Sequence, residues 1–447
     1  MKERYDVIVA GGGPAGVAAA LSAARCGADT LLIEKAGYLG GMATDAHIPA
    51  FCTFTDGKAL EVGGVGLEIL QAMKARMWRS PFYDAKSGRD FEYDWVPIDT
   101  EVLKAVLDEL VQQSGCALAL HTTLAEVRCE NRAVTALRFA TPAGMCTVRA
   151  AQFIDCTGNA LLAHGAGAEC LCGDENGRVQ AATLCFQIAN FDTERFLAYA
   201  MAEGETITEE GAENGNLSKA SARAIADGKF PAGETQVAGI ALTTPGTATL
   251  NFGHVFDFDP FTAEGMTRAE LEARRALPGL MAFLREYVPG AENAVLIGSG
   301  PSIGIRESRR IAADYMLCRA DYDRRADFDD AIGYYSYPID LHAARQADGA
   351  MSGHGDYESS RYAPGERYGI PYRSLIVRDL DNVLAAGRII GADRAAQASV
   401  RVMPACFLTG QAAGTAAALC ANEHTDLRKL NIEQLKQALK DAGAILS

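Results

Sequence analysis

"YDVIVAGGGPAGVAAALSAARCGADTLLIEK", residues 5–35, decides the fold. Residues 5–10 are a short apolar run with the length and composition of a buried parallel strand. Gly11-x-Gly13-x-x-Gly16 follows, with Pro14 suited to a first helical turn and strong helix formers from 15 to 24. Gly27 ends the helix, and residues 30–33 resume as a strand closed by Glu34. Gly11 permits the tight turn, Gly13 lets backbone approach a pyrophosphate, and Gly16 lets helix pack on strand. Glu34 follows Gly16 by 18 residues, near the ~20 expected of a carboxylate that binds a ribose hydroxyl. A lone GxGxxG is weak evidence; strand, glycines, helix, strand and terminal Glu in this order are strong.

The chain then departs from an unbroken βα series. Residues 99–114 are helical by periodicity, and three β-like runs follow at 124–130, 133–140 and 146–153, leading into "FIDCTGN" (153–159). Near the other end, "NVLAAGRIIGADRAAQASVRVMPACFLTGQAAGTAAALC" (382–420) reads as strand, Gly387-Arg388 turn, loop and a long small-residue helix starting near Ser399. A second helix N-terminus is thereby expected to face the same ligand as the first.

With these segments in place, the chain resembles FAD-dependent oxidoreductases of the glutathione-reductase-like flavoprotein fold. "GIRESRR", "YPIDLH", "GIPYRSLI" and "AAGR…SVRVMPAC…GQAAGTAAA" carry the likeness to one large bacterial group. The resemblance implies an α/β fold: a Rossmann-like FAD-binding domain split across the chain ends (1–167 and 381–447) with an inserted α+β substrate domain (168–380). It implies that Gly11, Gly13 and Gly16, with Pro14 and Ala15, hold the FAD pyrophosphate, and that Glu34, beside Lys35, holds the adenosine ribose. Gly40, Gly41 and Met42 would approach the cofactor as the chain leaves the first unit. Thr157 and Gly158 would form a second flavin-contacting turn. Gly387 and Arg388 would lie near the ribityl and pyrophosphate, and Ser399, Val400 and Arg401 at the helix start near the flavin. Two positions depart from the pattern: Arg394 stands where a His is frequent, and Asn159 where an Asp is common.

"IGSGPSIGIRESRR" (297–310) offers two readings. Its glycines and arginines suit an NADPH turn, but the preceding residues 267–288 are helical and no second strand ends in a nucleotide-reading side chain. Residues 311–332 read as helical and then charged. The favoured reading is a substrate-domain turn. Arg306 and Arg309, three apart, would share a face if a helix begins there, and such a pair clamps a carboxylate or simply pairs with acidic neighbours.

Residues 183–191 and 239–254 read as strands, 192–203 and 266–288 as helices, and 346–366, which includes His354, as a polar mobile loop or lid. His342 is the first choice for general acid/base, with Tyr337 as proton donor or acceptor and Asp340 orienting the His. His47 either approaches the flavin or is a polar loop residue. Hydride transfer between FAD and a small polar molecule follows, by alcohol or amine oxidation or activated C=C reduction. Still open are an NAD(P)H-dependent reductase or monooxygenase, an FAD-binding electron-transfer subunit, and a binder that keeps FAD structurally.

A net charge of −15 argues against a general nucleic-acid or anionic-membrane surface. Twelve cysteines without a CxxC, Cys170-x-Cys172 being the one close pair, disfavour zinc ribbons, iron–sulfur clusters and a thioredoxin-like disulfide. No metal is expected. The N-terminus lacks a signal-peptide pattern and the apolar 402–421 is broken by Gly410, Gln411 and Gly414, so the expected location is the cytoplasm. Residues 427–446 form an amphipathic helix capped by Asn431. Leu435, Leu439 and Ile445 pack on the body, or instead mediate a homo-oligomer.

Overall fold

The computed structural model describes residues 1–79, 93–203, 217–232, 234, 237–345, 357 and 359–447; the lid-like stretch with His354 lies largely outside them. β1 (Arg4–Ala10), α1 (Pro14–Arg25) and β2 (Thr30–Ile33) follow in the expected order. All of β2 is buried, as a parallel strand covered on both faces requires. Helix α2 (Thr100–Gln113) is capped by the Asp99 carboxylate, which accepts from the N–H groups of Glu101 and Val102, and returns the chain to β3 (Ala117–Ala119) beside β2. β4 (Thr123–Glu130), β5 (Ala133–Thr141) and β6 (Gly144–Asp155) make the antiparallel meander. β6 is long enough to change partners: residues 144–148 pair with β5, and from Arg149 onward it runs parallel to β1.

A second sheet has the order β8–β9–β7–β10, all antiparallel, from β7 (Phe186–Ala189), β8 (Gly239–Ala241), β9 (Thr247–Asn251) and β10 (Val295–Ser299). Helix α3 (Ala263–Tyr287) shares its core, which is separate from the one around α1 and runs from Val179 to Ile305. Residues 183–191 are therefore not one strand. Ala182–Thr183 pairs with His254–Val255, and β7 starts only at Phe186. Likewise 239–254 is three short strands.

β10 settles the glycine-rich stretch. It is an antiparallel edge strand and its chain continues without a helix, so no phosphate-binding βαβ turn exists there. Gly300 instead lets this chain lie on the loop after the first unit: a Cβ there would stand 2.8 Å from the Ala46 carbonyl carbon. The anticipated helix carrying Arg306 and Arg309 is absent too. Arg309–Ile311 is a strand on Cys170–Cys172, and extended backbone sends residues three apart to opposite sides. Of residues 311–332, expected to be helical and then charged, only Arg319–Asp323 is helical.

β11 (Val383–Ala385) joins β6 in parallel and completes the seven-stranded sheet from the far end of the chain. The helix expected from near Ser399 is two helices, α4 (Arg394–Val400) and α5 (Met403–Glu423), bent by 92°. Pro404 is the cause. Its ring removes an N–H and clashes with the carbonyl four residues back, so one helix cannot run through it. α5 lies along α1: a Cβ on Gly410 or Gly414 would come within 2.1 Å of the Ala15 or Ala19 carbonyl oxygen. α6 (Ile432–Asp441) is capped by Asn431, with Leu435 and Leu439 buried and Ile445 beyond its end, half-buried against Gly63. Tyr322, Tyr335 and Tyr368 join the core that holds α1 and α5. Among the described residues no single helix is long and apolar enough to cross a membrane; the bent pair α4–α5 meets the length and composition, and α5 is buried along nearly its whole length.

Candidate functional site

The glycine turn of β1–α1 forms the floor of the site. Gly11 has φ +101°, and a Cβ there would stand 2.4 Å from the Cys156 carbonyl oxygen. A Cβ on Gly16 would stand 1.7 Å from the Gly11 carbonyl oxygen, so this glycine is what allows helix and strand to touch. Gly13 differs: its φ of −73° suits any residue, and an added Cβ would meet only the Gly41 Cα, at 3.7 Å. The space in front of it is open on the cradle side. α1 has no side-chain cap and no acid in its first turn, and α5 has neither as well, so both helix starts present unneutralised N–H groups. Met403 precedes Gly410 by more residues than Pro14 precedes Ala15, which staggers the two helix starts by roughly 9 Å.

Glu34 is buried; its Oε2 accepts from Gly12 N at 2.7 Å and its Oε1 from Ala36 N at 2.8 Å, while Lys35 is exposed. Gly40 (φ +109°) and Gly41 (φ +50°) bring the next loop onto Gly13, with Met42 in a short 3-10 turn. On the opposite side Asp155 fixes the 157–158 turn. It accepts from Thr157 N and Oγ1 and from the N–H groups of Leu162 and Ala163. The Gly158 carbonyl accepts from Arg388 Nε at 2.7 Å, and Asn159 Oδ1 from Arg388 Nη2 at 3.1 Å. An Asp at 159 would neutralise this guanidinium. Asn does not, and among the described residues no carboxylate lies within ion-pair distance of Arg388.

Beside the cradle lies a buried polar cluster. Arg401 Nη2 donates to the Asp340 carbonyl and to Asp340 Oδ2, both at 2.8 Å, while its buried Nε has no partner. Asp340 Oδ1 is 3.3 Å from His342 Nε2, and Tyr337 OH is 3.5 Å from Asp340 Oδ2. Arg306 donates to Ala181 O at 2.8 Å and to Thr183 Oγ1 at 2.9 Å, and among the described residues has no carboxylate partner. Burial lowers the Arg306 guanidinium to about 10, which leaves it charged at neutral pH. Burial opposes the charge on Asp340, but its neighbours His342 and Arg401 outweigh that and hold the carboxyl below the ordinary range. Burial, then the Arg306 charge, pushes His342 down to about 3. Burial and the Asp340 charge raise the Tyr337 phenol well above its usual value, so it stays a donor.

The depressed His342 has a consequence for stability. The unfolded chain binds a proton at this residue below about pH 6.5, and the folded one only near 3. Its contribution is therefore complete above pH ~6.5 and is lost progressively as pH falls toward ~3. Urea melts at about pH 7 and about pH 4.5 should show a larger loss in the wild type than in His342→Gln. Equal losses would place the acid sensitivity elsewhere.

Several anticipated residues thus come together: the 11–16 glycine turn, Glu34, Gly40–Met42, Thr157–Gly158, Gly387–Arg388 and Arg401 around the cradle, with Arg306, Tyr337 and His342 beside it. Arg309 does not join them; its guanidinium stacks on Phe261, 4.2 Å from the ring centroid. Ser399 is fully buried, its hydroxyl shared between Tyr337 O and Tyr368 OH, and Val400 is buried in the core. Arg394 pairs with the buried Glu307, which also binds Arg310. His47 is buried in left-handed backbone (φ +54°) with its Nδ1 unpartnered. Sequence reasoning missed Gln180 and Gln397, and named Glu307 only as a possible partner of Arg306 or Arg309, whereas it pairs with Arg310 and Arg394. Gln397 donates to the Arg306 carbonyl, and Gln180 accepts from His342 N. Only Gln397 carried a signal, one turn after Arg394 on the same helix. No group of His, Cys, Asp and Glu suited to a metal ion occurs among the described residues.

A split Rossmann sheet, an uncapped glycine cradle and a second helix start define a dinucleotide-binding flavoenzyme. The chain belongs to the FAD dependent oxidoreductase family, whose sequence profile matches residues 6–439. A stretch of 85 residues is 34% identical to the mitochondrial dihydrolipoyl dehydrogenase of Schizosaccharomyces pombe, over 16% of this chain and 17% of that enzyme. The chain thus spans less than a fifth of that relative's length. By fold it is similar to p-nitrophenol 4-monooxygenase from Pseudomonas putida DLL-E4, with 12% identity, a TM-score of 0.50, and 98% of this chain and 84% of that one covered. A geranylgeranyl bacteriochlorophyll reductase-like protein from Thermoplasma acidophilum matches at 14% identity and a TM-score of 0.47, over 99% of this chain and 84% of that one. The residues fit FAD: the open face of Gly13, two uncapped helix starts, Arg388 without a carboxylate and the unpartnered Nε of Arg401 all await an anionic, acceptor-rich group.

Proposed function

We propose that the protein transfers a hydride between FAD and a small organic substrate that carries a carboxylate. It would oxidise an alcohol or amine or, in the other direction, reduce an activated C=C bond. Arg306 carries this reading. It is a partly buried guanidinium without a carboxylate partner among the described residues, held by Ala181 and Thr183 beside the cluster of Asp340, His342 and Arg401. In a chain of net charge −15, such a cation beside the cradle selects for an anion.

FAD, when bound between Gly11–Gly16, Gly40–Met42, Thr157–Gly158 and Arg388, supplies the two-electron step. The chain's own residues do the rest. Arg306 holds the substrate carboxylate, and Tyr337 keeps its hydroxyl hydrogen and donates it. Asp340, an anion at rest between Arg401 and His342, relays the proton to or from His342 beside it. The antiparallel setting of β10 supports a substrate-side role for the 297–310 stretch over a pyridine-nucleotide site.

The test is anaerobic bleaching of the flavin band. Small hydroxy- and amino-carboxylates are expected to bleach it or, for enoates, to reoxidise the reduced form, with NADH and NADPH inert. Arg306→Met should retain flavin while substrate affinity falls about 10- to 100-fold. Rapid bleaching by either nicotinamide cofactor, or an affinity indifferent to Arg306→Met, overturns the proposal.

A further inference from the structure

The polar contacts do not stop at His342. Its Nδ1 lies 3.2 Å from Nε2 of His254, which sits in the short strand His254–Val255 of the other unit. His254 Nδ1 lies 2.9 Å from Oε2 of Glu234, and Glu234 Oε1 accepts from the His254 N–H at 2.5 Å. The side chains of His254 and Glu234 are 1% and 3% exposed. Phe256 stacks on the His254 ring. Charged neighbours of this line are Arg306 and Arg401, and Tyr337 flanks its Asp340 end.

Resting on the hydride-transfer reading above, we propose that Asp340, His342, His254 and Glu234 form a buried proton store, with His254 and Glu234 as positioning residues that set which nitrogen of His342 carries hydrogen. Hydrogen counting supports this. Four groups are joined by three contacts, and three hydrogens satisfy all of them in two ways. In the first, Glu234 carries one hydrogen and both imidazoles carry theirs on Nε2, so every bond points toward Asp340, an anion. In the second, each hydrogen has moved one place: Asp340 carries one, both imidazoles carry theirs on Nδ1, and Glu234 is the anion. No hydrogen is gained or lost, but one proton's worth of charge has crossed the domain junction.

The chemistry needs such a reserve. Reducing a C=C bond adds a hydride from the cofactor at one carbon and a proton at the other. The Arg401 contact keeps Asp340 an anion at rest, which is the first arrangement. Asp340 takes a hydrogen only as the line hands it on to the substrate, which leaves the line two hydrogens, and alcohol or amine oxidation returns it. A line buried at both histidines does this without admitting water beside the reacting atoms.

The experiment is long-range 1H–15N spectroscopy of the full-length protein labelled at histidine, in the resting state. In the wild type His342 and His254 should share one tautomer pattern. Glu234→Gln, which does not touch His342, should move the His342 nitrogens between their acceptor-type and donor-type positions together with those of His254. Should that variant not be recovered folded, His254→Gln serves in its place and should likewise shift His342, while leaving the His47 and His121 signals unmoved. His342 nitrogens that stay at their wild-type positions in either variant overturn the store. The spectra are read without substrate, so a protein whose flavin no small carboxylate reduces loses the functional reading and not the store, and the reverse also holds.

Discussion

Gly13→Val is expected to purify as a folded protein without flavin. The backbone there is ordinary, and among the described residues the nearest atom to an added Cβ is the Gly41 Cα at 3.7 Å. What the methyl groups fill is the space that lets the α1 start and the 40–41 loop approach a pyrophosphate. FAD affinity should fall roughly 100-fold or more, about 3 kcal/mol. Thermal unfolding should match that of the flavin-stripped wild type. The measurement pairs flavin absorbance per protein with a melt of both apoproteins. A yellow Gly13→Val protein would mean that the cofactor lies elsewhere. Gly16→Val is the contrast, since its Cβ meets the Gly11 carbonyl oxygen at 1.7 Å and should cost the fold as well.

The second large effect is expected where the two long helices cross beneath the cradle. Gly410→Val places a Cβ within 2.1 Å of the Ala15 carbonyl oxygen, backbone that no rotamer change can move. The α1–α5 crossing must then open along its length, at about 4 kcal/mol or more, which exceeds ordinary overpacking. Soluble yield and the urea midpoint are the readouts. Ala416→Val, fully buried on the same helix, is the control for added bulk alone, and an equal effect from both would deny Gly410 its special place.

How much of this was legible in the sequence follows from how local each feature is. The first βαβ unit was readable because strand, turn and helix signals lie within 31 contiguous residues. The meander was readable from period-two alternation and turn residues. Asn431 announced its cap, whereas Asp99, read as the first helical residue, is in fact the cap. The helix break at 401–402 was foreshadowed by Pro404, whose effect on the preceding turn was not applied. Arg309 was misjudged because a three-residue spacing means one face only on a helix, and the partner that made this segment a strand, Cys170–Cys172, lies more than a hundred residues away. His254 and Glu234 had no local signal. They are 88 and 108 residues from His342, and only the meeting of two separate cores brings them to it.

The same α1–α5 crossing bears on how the protein is made. Gly410 follows Ala15 by 395 residues, so at about 5–20 residues per second a ribosome extends the chain for roughly 20–80 s before the first helix meets its partner. Throughout that interval an almost wholly apolar helix and an unfinished sheet edge stand without their cover. Only the middle unit, whose sheet and core fall between 179 and 305, can close as it emerges. Folding therefore runs from the inside outward, and a chain cut short anywhere before α5 keeps that helix and that sheet edge uncovered.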